Sequence, residues 1–173
     1  ATVVTIMSGI EGFVDALNRD DRLSLARNVL FAVSLGLLVF GLVLVLGGDR
    51  RAAAPESLWL WLPGWVIALV WLVLLAFLGA SRWLLNSYTI IGVGQARGLV
   101  TLLILVCLCW PLHSLVAGSL AVALAANAIT FLLSATALLF VWQASRDAAY
   151  LLVPLIAWLV FISIIILAAM GQG

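Results

Sequence analysis

The longest uncharged stretch of the chain lies between Arg97 and Arg146, and its length decides how the polypeptide can cross a membrane. None of the 48 residues between these two arginines is Asp, Glu, Lys or Arg. A single helix of that length would be roughly 72 Å long, whereas the hydrocarbon core of a bilayer is about 30 Å thick. The stretch must therefore contain two membrane-spanning helices, and the sequence PLHSLVAGS at residues 111–119 has the composition of the turn between them.

The composition places the chain among multi-pass membrane proteins. It is 66% hydrophobic and 9% charged, whereas a soluble domain carries about 25% charged residues. Apolar segments long enough to cross a bilayer occur five times. We therefore predict an all-α protein with a five-helix transmembrane bundle over residues 29–173. Its spans are predicted at residues 29–47, 58–80, 94–112, 118–142 and 148–170.

Residues 1–28 precede the first predicted span and form a separate segment. An apolar stripe recurs there at helical spacing, formed by Ile10, Phe13, Val14 and Leu17. This spacing predicts an amphipathic helix. Such a helix suits an interfacial position on the membrane surface or a protein partner, and a solvated leader helix is equally compatible with the pattern.

The arginines predict the orientation of the bundle. With five spans, the N-terminal segment shares one side of the membrane with the connections between spans two and three and between spans four and five. That side holds six of the eight arginines, namely Arg19, Arg22, Arg27, Arg82, Arg97 and Arg146. The positive-inside rule then places the N-terminus on the cytoplasmic or equivalent side.

Two of the eight tryptophans lie where an aromatic belt does not explain them. Tryptophans near the ends of spans match the level at which indole rings settle at a membrane interface. Trp71 and Trp158 instead lie at mid-depth of spans two and five, where an indole N–H needs a partner. Core packing and a ligand pocket both explain this placement, and Trp110, nearer a span end, is open to both.

The sequence AYLLVPLIAWLV, residues 149–160, places Pro154 inside span five. A proline within a helix removes one backbone hydrogen bond, and no water replaces that bond in hydrocarbon. Tyr150, Pro154 and Trp158 are spaced four residues apart, so they share one helical face. We therefore predict a kink at Pro154 that opens a space among aromatic side chains, either a packing joint or a binding site.

Uncharged polar and small residues mark two faces of the fourth span. Hydrogen bonds to a neighbouring helix are predicted for a polar stripe formed by Asn127, Thr130 and Ser134. Close approach of a second helix, within the bundle or in a homodimer, is predicted for a face formed by Ala117, Ala121 and Ala125. We expect both sets to pack helices rather than to contact a ligand.

No residue pattern indicates catalysis or metal binding, so we expect no enzyme. No acidic or basic residue lies at mid-membrane, where a proton relay would need one. Cys107 and Cys109 point about 200° apart on a helix, so we predict no bridge between them and expect both to be buried as apolar residues. His113 is the only histidine and lacks the further ligands of a metal site. The net charge of +1 gives no indication of a nucleic-acid partner.

Several motifs, taken in order, resemble the translocator protein family, also called the tryptophan-rich sensory proteins (TspO). The second span begins WLWLPGWVIALVW at residues 59–71, similar to the family's aromatic start of helix two. The third span carries the family's Gly-Gln-Ala at residues 94–96. The match continues without a gap over residues 110–158, which include Gln143 and the VPLIAW sequence of the fifth span.

The resemblance implies a five-helix bundle, often a dimer, that binds flat hydrophobic ligands between its helices. The implied cofactor is a non-covalent tetrapyrrole of the porphyrin or chlorophyll type, or a sterol-like molecule, without a metal site of the protein's own. Trp71 and Trp158 correspond to pocket tryptophans of the family. Trp65 and Trp110 are then expected at the mouth of the pocket, with Pro154 opening its groove.

Several positions at which the family carries polar residues are apolar in this chain. Cys107 and Leu155 stand where the family has Asn and Tyr, and Ile166 lies near the place of a late Asn. These departures support an alternative to ligand binding. In that alternative the chain is a non-catalytic structural or accessory subunit of a larger membrane complex, for example a photosynthetic pigment–protein complex.

Overall fold

The computed structural model describes residues 11–46, 64–89, 91–116 and 119–171, and within these ranges the chain is helical and contains no strand. Residues 11–17 form a short helical segment, and a 3-10 turn at Leu85–Ser87 follows the second long helix. The remaining helices are α1 (Arg22–Val45), α2 (Gly64–Leu84), α3 (Val93–Val116), α4 (Leu120–Ala144), α5 (Arg146–Tyr150) and α6 (Val153–Met170).

Five segments of the described chain are long and apolar enough to cross a bilayer. Four of them are α1, α2 with its 3-10 turn, α3 and α4, and the fifth combines α5 and α6. The predicted all-α, five-helix transmembrane bundle is therefore confirmed. Large apolar side chains cover its outer surface, for example Leu30, Leu38 and Leu132, each more than 60% exposed.

Helix α1 begins seven residues before the predicted span. Its start is set by Asp21, whose side chain accepts a hydrogen bond from the backbone N–H of Ser24. An N-cap of this kind satisfies a backbone donor that the helix itself leaves unpaired. Hydropathy marks only the part of a helix that lies in lipid, so it placed the start of the span at residue 29.

Helix α3 continues through Pro111 to Val116, past the predicted end of its span at residue 112. A proline in a transmembrane helix is tolerated because neighbouring groups satisfy the freed backbone atoms. Helix α4 begins at Leu120, directly after its N-cap Ser119 at the end of the predicted turn, and residues 117–118 lie outside the described residues. The predicted start of span two at residues 58–63 lies outside the described residues.

The fifth span is interrupted before Pro154, so the predicted kink at this proline is wrong. Ser145 caps α5, which ends at Tyr150, and a turn at residues 151–152 leads into α6. Pro154 occupies the first turn of α6. A proline there costs no hydrogen bond, because the first N–H groups of a helix have no intrahelical acceptor. The chain thus stops one helix and starts another where the proline fits.

The helices pack as neighbours in the pairs α1–α2, α3–α4 and α4–α6, and α3 also contacts α1 and α2. At the closest approach of α1 and α2, a Cβ added to Gly79 would lie 2.7 Å from the carbonyl oxygen of Asn28. Helices α2 and α6 are not among the closely packed pairs of the described chain. Their neighbouring ends are joined through α5, where the Ser81 hydroxyl donates to the Ala148 carbonyl at 2.9 Å.

Only Asn127 of the predicted polar stripe forms a hydrogen bond across helices. Its Nδ2 donates to the Leu159 carbonyl at 2.8 Å and to Ser163 Oγ at 2.6 Å, both on α6. The hydroxyls of Thr130 and Ser134 instead donate to carbonyls of their own helix. Short hydroxyl side chains reach the preceding turn readily, and these two are buried in the helix contact nonetheless.

The small-residue face and the two cysteines have mixed outcomes. Ala121 and Ala125 are exposed on α4, so they do not pack helices within this bundle, and Ala117 lies outside the described residues.

Cys107 is buried and Cys109 is exposed, both as free thiols. The prediction that both would be buried is wrong for Cys109, because opposite faces of one helix cannot both face the core.

Candidate functional site

A groove of about 620 Å³ lies between α2 and α6, where these two helices do not pack closely. Its described lining residues all have aliphatic or aromatic side chains. The groove opens outward, since its rim residues Leu69 and Val73 are 53% and 45% exposed. The lining consists of Leu69, Val70, Val73, Leu74 and Phe77 from α2 and Pro154, Ala157, Trp158 and Phe161 from α6.

Trp158 is the one described lining residue of the groove whose side chain contains a polar atom. It follows Pro154 by four residues and precedes Phe161 by three, so all three lie on one face of α6. The rings of Trp158 and Phe161 are 5.5 Å apart at a tilt of 36°. Among the described residues, the buried Nε1 of Trp158 has no hydrogen-bond partner. Buried indole N–H groups usually have a partner. This one is also shielded from solvent, so the groove presents the Trp158 ring rather than its N–H.

Trp71 does not line the groove. It is 2% exposed in the core between α2 and α3, and its ring packs against Trp110 with centroids 5.4 Å apart. Val70, one residue earlier, does face the groove, and one residue turns a helix by about 100°. The sequence did not indicate which side of the helix Trp71 would occupy.

The five predicted ligand-binding residues therefore fall into three places. Pro154 and Trp158 lie together in the groove. Trp71 and Trp110 form an aromatic pair in and beside the core. Trp65 is 69% exposed near the start of α2 and does not belong to the groove lining.

Tyr150 does not share the groove face with Trp158. The turn at residues 151–152 changes the helical register between them, so the spacing of four no longer aligns their side chains. Tyr150 instead packs edge-on against Trp142 at 5.5 Å, and the Arg146 guanidinium lies 5.8 Å from the Trp142 ring centroid. This aromatic–cation cluster lies at the junction of α4 and α5.

Sequence reasoning missed a polar cluster that holds the N-terminal segment against the bundle. The carbonyl oxygen of Leu17, at the end of the short helical segment, accepts four hydrogen bonds. Its donors are Ser24 Oγ at 3.0 Å, Asn28 Nδ2 at 2.9 Å, Asn86 Nδ2 at 2.8 Å and, more distantly, Arg82 Nη1 at 3.5 Å. A helix C-terminus carries partial negative charge and unpaired carbonyls, so it attracts these donors.

Arg82 is at the centre of the same cluster. Its Nη1 donates to Asn28 Oδ1 at 2.7 Å, its Nη2 to Asn18 Oδ1 at 3.0 Å and its Nε to Thr101 Oγ1 at 3.0 Å. The guanidinium thus joins α1, α2, α3 and the N-terminal segment. The spacing of four residues from Ser24 to Asn28 and from Arg82 to Asn86 places each pair on one helical face. It marks two polar patches but does not show that they meet.

Residues 11–21 therefore dock onto their own bundle, and the contact extends along the end of α2. Trp83 Nε1 donates to the Asp21 carbonyl at 3.0 Å, and the Ser87 hydroxyl donates to the Asp20 carboxylate at 2.7 Å. Trp83 was predicted as a member of an interfacial belt. Its indole N–H is used here to hold the N-terminal segment.

Residues 28–170 match the family model described as the TspO/MBR family. The chain belongs to the TspO/MBR family. No curated protein sequence matches it significantly. Family membership and five candidate spans together make the chain an integral, multi-pass membrane protein. Most of the docked N-terminal segment precedes the range that matches the TspO/MBR family.

Three positions at which the resemblance to TspO proteins leads one to expect polar side chains lie in the interior. Cys107, Leu155 and Ile166 are 2%, 1% and 8% exposed. They pack as apolar residues and bring no polar group to the groove. Among the described residues, no three His, Cys, Asp or Glu side chains are grouped closely enough to hold a metal ion. The described lining of the groove therefore suits an apolar ligand surface.

Proposed function

We propose that this TspO/MBR protein binds a flat, apolar, uncharged molecule in the groove between α2 and α6. Pigments of the tetrapyrrole type and sterol-like molecules both belong to this class. The observation that supports the proposal is an apolar groove of about 620 Å³ whose wall includes the aromatic side chains of Trp158 and Phe161. Ligand pockets of about 300–1,000 Å³ are typically apolar with a few polar groups that fix orientation.

The chemistry of the lining selects among these ligands. Trp158 and Phe161 offer aromatic rings to a flat ring system. No charged residue belongs to the lining. A carboxylate placed there would be buried without a counter-charge, which is costly. We therefore expect an esterified or otherwise neutral tetrapyrrole to bind better than a porphyrin with free carboxylates.

The test is a titration in mild detergent that follows the absorption band of the porphyrin. A porphyrin dimethyl ester and the corresponding dicarboxylic acid would be titrated into the wild-type protein and into Trp158→Leu. We expect saturable binding of the ester, weaker binding of the acid, and roughly tenfold weaker ester binding by the variant, since it loses the aromatic contact.

Trp142→Leu is the matched control, because Trp142 is exposed at the α4–α5 junction and does not belong to the groove lining. It should bind the ester as the wild type does. A folded wild-type protein that shows no saturable binding of either porphyrin or of a sterol would refute the proposal. Equal loss in Trp158→Leu and Trp142→Leu would also refute the assignment of the groove.

A second candidate function is that of a structural subunit in a larger membrane complex. The interior packing of Leu155 and Ile166, where polar residues are expected, favours it, because the bundle retains its shape with fewer polar groups. The outward-facing Ala121 and Ala125 give a second helix a place for close approach. Migration in mild detergent separates the candidates, since a subunit would be recovered only in an assembly much larger than a monomer or dimer.

A further inference from the structure

A second cleft, of about 440 Å³, lies near the C-terminal end of α2, between the N-terminal segment, α2 and α3. It is distinct from the α2–α6 groove, with which it shares no residue. We refer to it as the arginine cleft. Its lining consists of Asn18, Arg82, Gly94, Arg97, Gly98, Thr101, Leu102 and Leu105.

The arginine cleft carries two positive charges and no carboxylate in its lining. The hydrogen bonds of Arg82 go to neutral amide, hydroxyl and carbonyl oxygens. Arg97 donates one bond among the described residues, a long one of 3.4 Å to Asn86 Oδ1. Both side chains are partly buried. Charges withdrawn from water are normally compensated by a counter-charge, so the cleft is suited to an anion.

One face of α3 forms the floor of the cleft. Gly94, Arg97, Gly98 and Thr101 follow one another at helical spacing, and Leu105 continues the row. The glycines leave the helix backbone bare, because a Cβ at Gly94 or Gly98 would meet nothing within 4 Å. There is therefore room for a group larger than a single ion.

The same face becomes apolar toward the middle of the membrane. Leu102 and Leu105 are 47% and 51% exposed. From Arg97 to Leu105 the helix rises roughly 12 Å. A molecule that follows this face would place an acidic group at the arginines and an apolar chain along the leucines. This arrangement matches a phospholipid and is longer than a free inorganic anion requires.

We infer that the arginine cleft binds the phosphate group of an anionic phospholipid. The unpaired N–H groups of Arg97 would donate to the phosphate oxygens, and one acyl chain would lie along Leu102 and Leu105. Arg–phosphate hydrogen bonds are charge-assisted and among the strong ones. Basic pockets between transmembrane helices commonly hold such head groups, and the end of the bundle that contains this cleft also carries most of the arginines.

The experiment compares lipid retention and thermal stability in detergent. The full chain would be mixed with phosphatidylglycerol, with phosphatidylcholine, or with millimolar inorganic phosphate, then analysed by native mass spectrometry and thermal unfolding. We expect retained phosphatidylglycerol and a raised Tm, since a ligand that binds only the folded state stabilises it. Phosphatidylcholine and inorganic phosphate should have a much smaller effect.

Arg97→Gln removes the phosphate donor and should weaken phosphatidylglycerol binding roughly tenfold or more, the effect of losing one charge-assisted hydrogen bond. Arg27→Gln is the matched control, because Arg27 is an exposed arginine near the same end of the bundle and outside the cleft. Gly98→Leu keeps both arginines and fills the floor, so it should also lose the lipid. If Arg97→Gln does not fold, lipid retention by Gly98→Leu tests the inference in its place.

Three results would overturn the inference. Equal retention of the two lipids would show that the head-group charge is not recognised. Equal loss of binding in Arg27→Gln and Arg97→Gln would show a general effect of surface charge. Stabilisation by inorganic phosphate as large as that by phosphatidylglycerol would show a site for a free anion rather than for a lipid.

Discussion

The C-terminal end and the middle of α2 differ in how they contact the rest of the protein. At its C-terminal end, Arg82 and Asn86 form a dense set of hydrogen bonds with the N-terminal segment and α1. Along its middle, Val70 and Phe77 face the apolar groove, where α2 and α6 do not pack closely. Helix α2 thus forms a hydrogen-bonded contact at one end and lines an open groove along its middle.

This difference separates stability from binding. A buried acceptor that loses its donor costs about 1–3 kcal/mol, so changes in the polar cluster should loosen the fold. Side chains at the rim of the groove are already exposed, so changing them should leave the fold intact and affect only what binds there. The following predictions test that separation, from the largest expected effect to the smallest.

Gly79→Val should destabilise the protein most. Its Cβ would lie 2.7 Å from the Asn28 carbonyl oxygen, a backbone atom that cannot move without separating α1 from α2. We expect a loss of about 3 kcal/mol or more, the upper range for overpacking, measured by unfolding in mixed detergent. Gly41→Val is the control, since a Cβ at Gly41 meets nothing within 4 Å. Equal stability of the two variants would contradict the close contact.

Asn28→Ala should cost about 1–3 kcal/mol, because it removes a donor to the Leu17 carbonyl and the acceptor of Arg82. The N-terminal segment should also be cleaved faster by protease in the folded variant, since its anchor is weakened. Gln95→Ala changes an exposed amide on α3 and should alter neither property. An unchanged cleavage rate in Asn28→Ala would show that the cluster does not hold the segment.

Val73→Phe should separate binding from stability most clearly. Val73 is 45% exposed at the groove, so a larger ring fits without overpacking the core and occupies the space proposed for the ligand. We expect weaker binding of the porphyrin ester in the titration described above, with a change in unfolding free energy below about 1 kcal/mol. A large loss of stability would show that the groove is part of the packed core.

Asn127→Leu should have the smallest effect. Its Nδ2 bonds to α6, but among the described residues its buried Oδ1 has no partner. Hydrogen bonds between transmembrane helices contribute about 0.6 kcal/mol on average, and the leucine removes the unsatisfied oxygen. We expect a change within about 1 kcal/mol in detergent unfolding. Asn127→Asp is the opposing control, because it buries a charge and should destabilise strongly.

The number of spans followed from the sequence, whereas the direction in which side chains point did not. The gap between Arg97 and Arg146 required two helices, and a bilayer sets their length. On a helix that is apolar all round, periodicity does not indicate which face is inside. Trp71 and Trp158 were both predicted near mid-membrane, yet one lies in the core and the other in the groove.

The missed features depend on contacts that sequence spacing does not display. Arg82 bonds to Asn18 and Asn28, 64 and 54 residues earlier in the chain. A local pattern reveals neither contact, because each residue alone suits a membrane interface. The break before Pro154 was missed for a related reason. Proline inside an apolar run fits both a kink and a new helix start, and the structure has the second, with α5 ending at Tyr150 and Pro154 in the first turn of α6.

The docked N-terminal segment has a consequence for the order in which the protein is assembled. The segment is synthesised first, but its bonding partners on α2 follow more than 60 residues later. The segment therefore remains undocked on one side of the membrane until α1 and α2 have both inserted. Docking then ties the segment to the connection after α2, so the hairpin of the first two spans can no longer invert in the membrane.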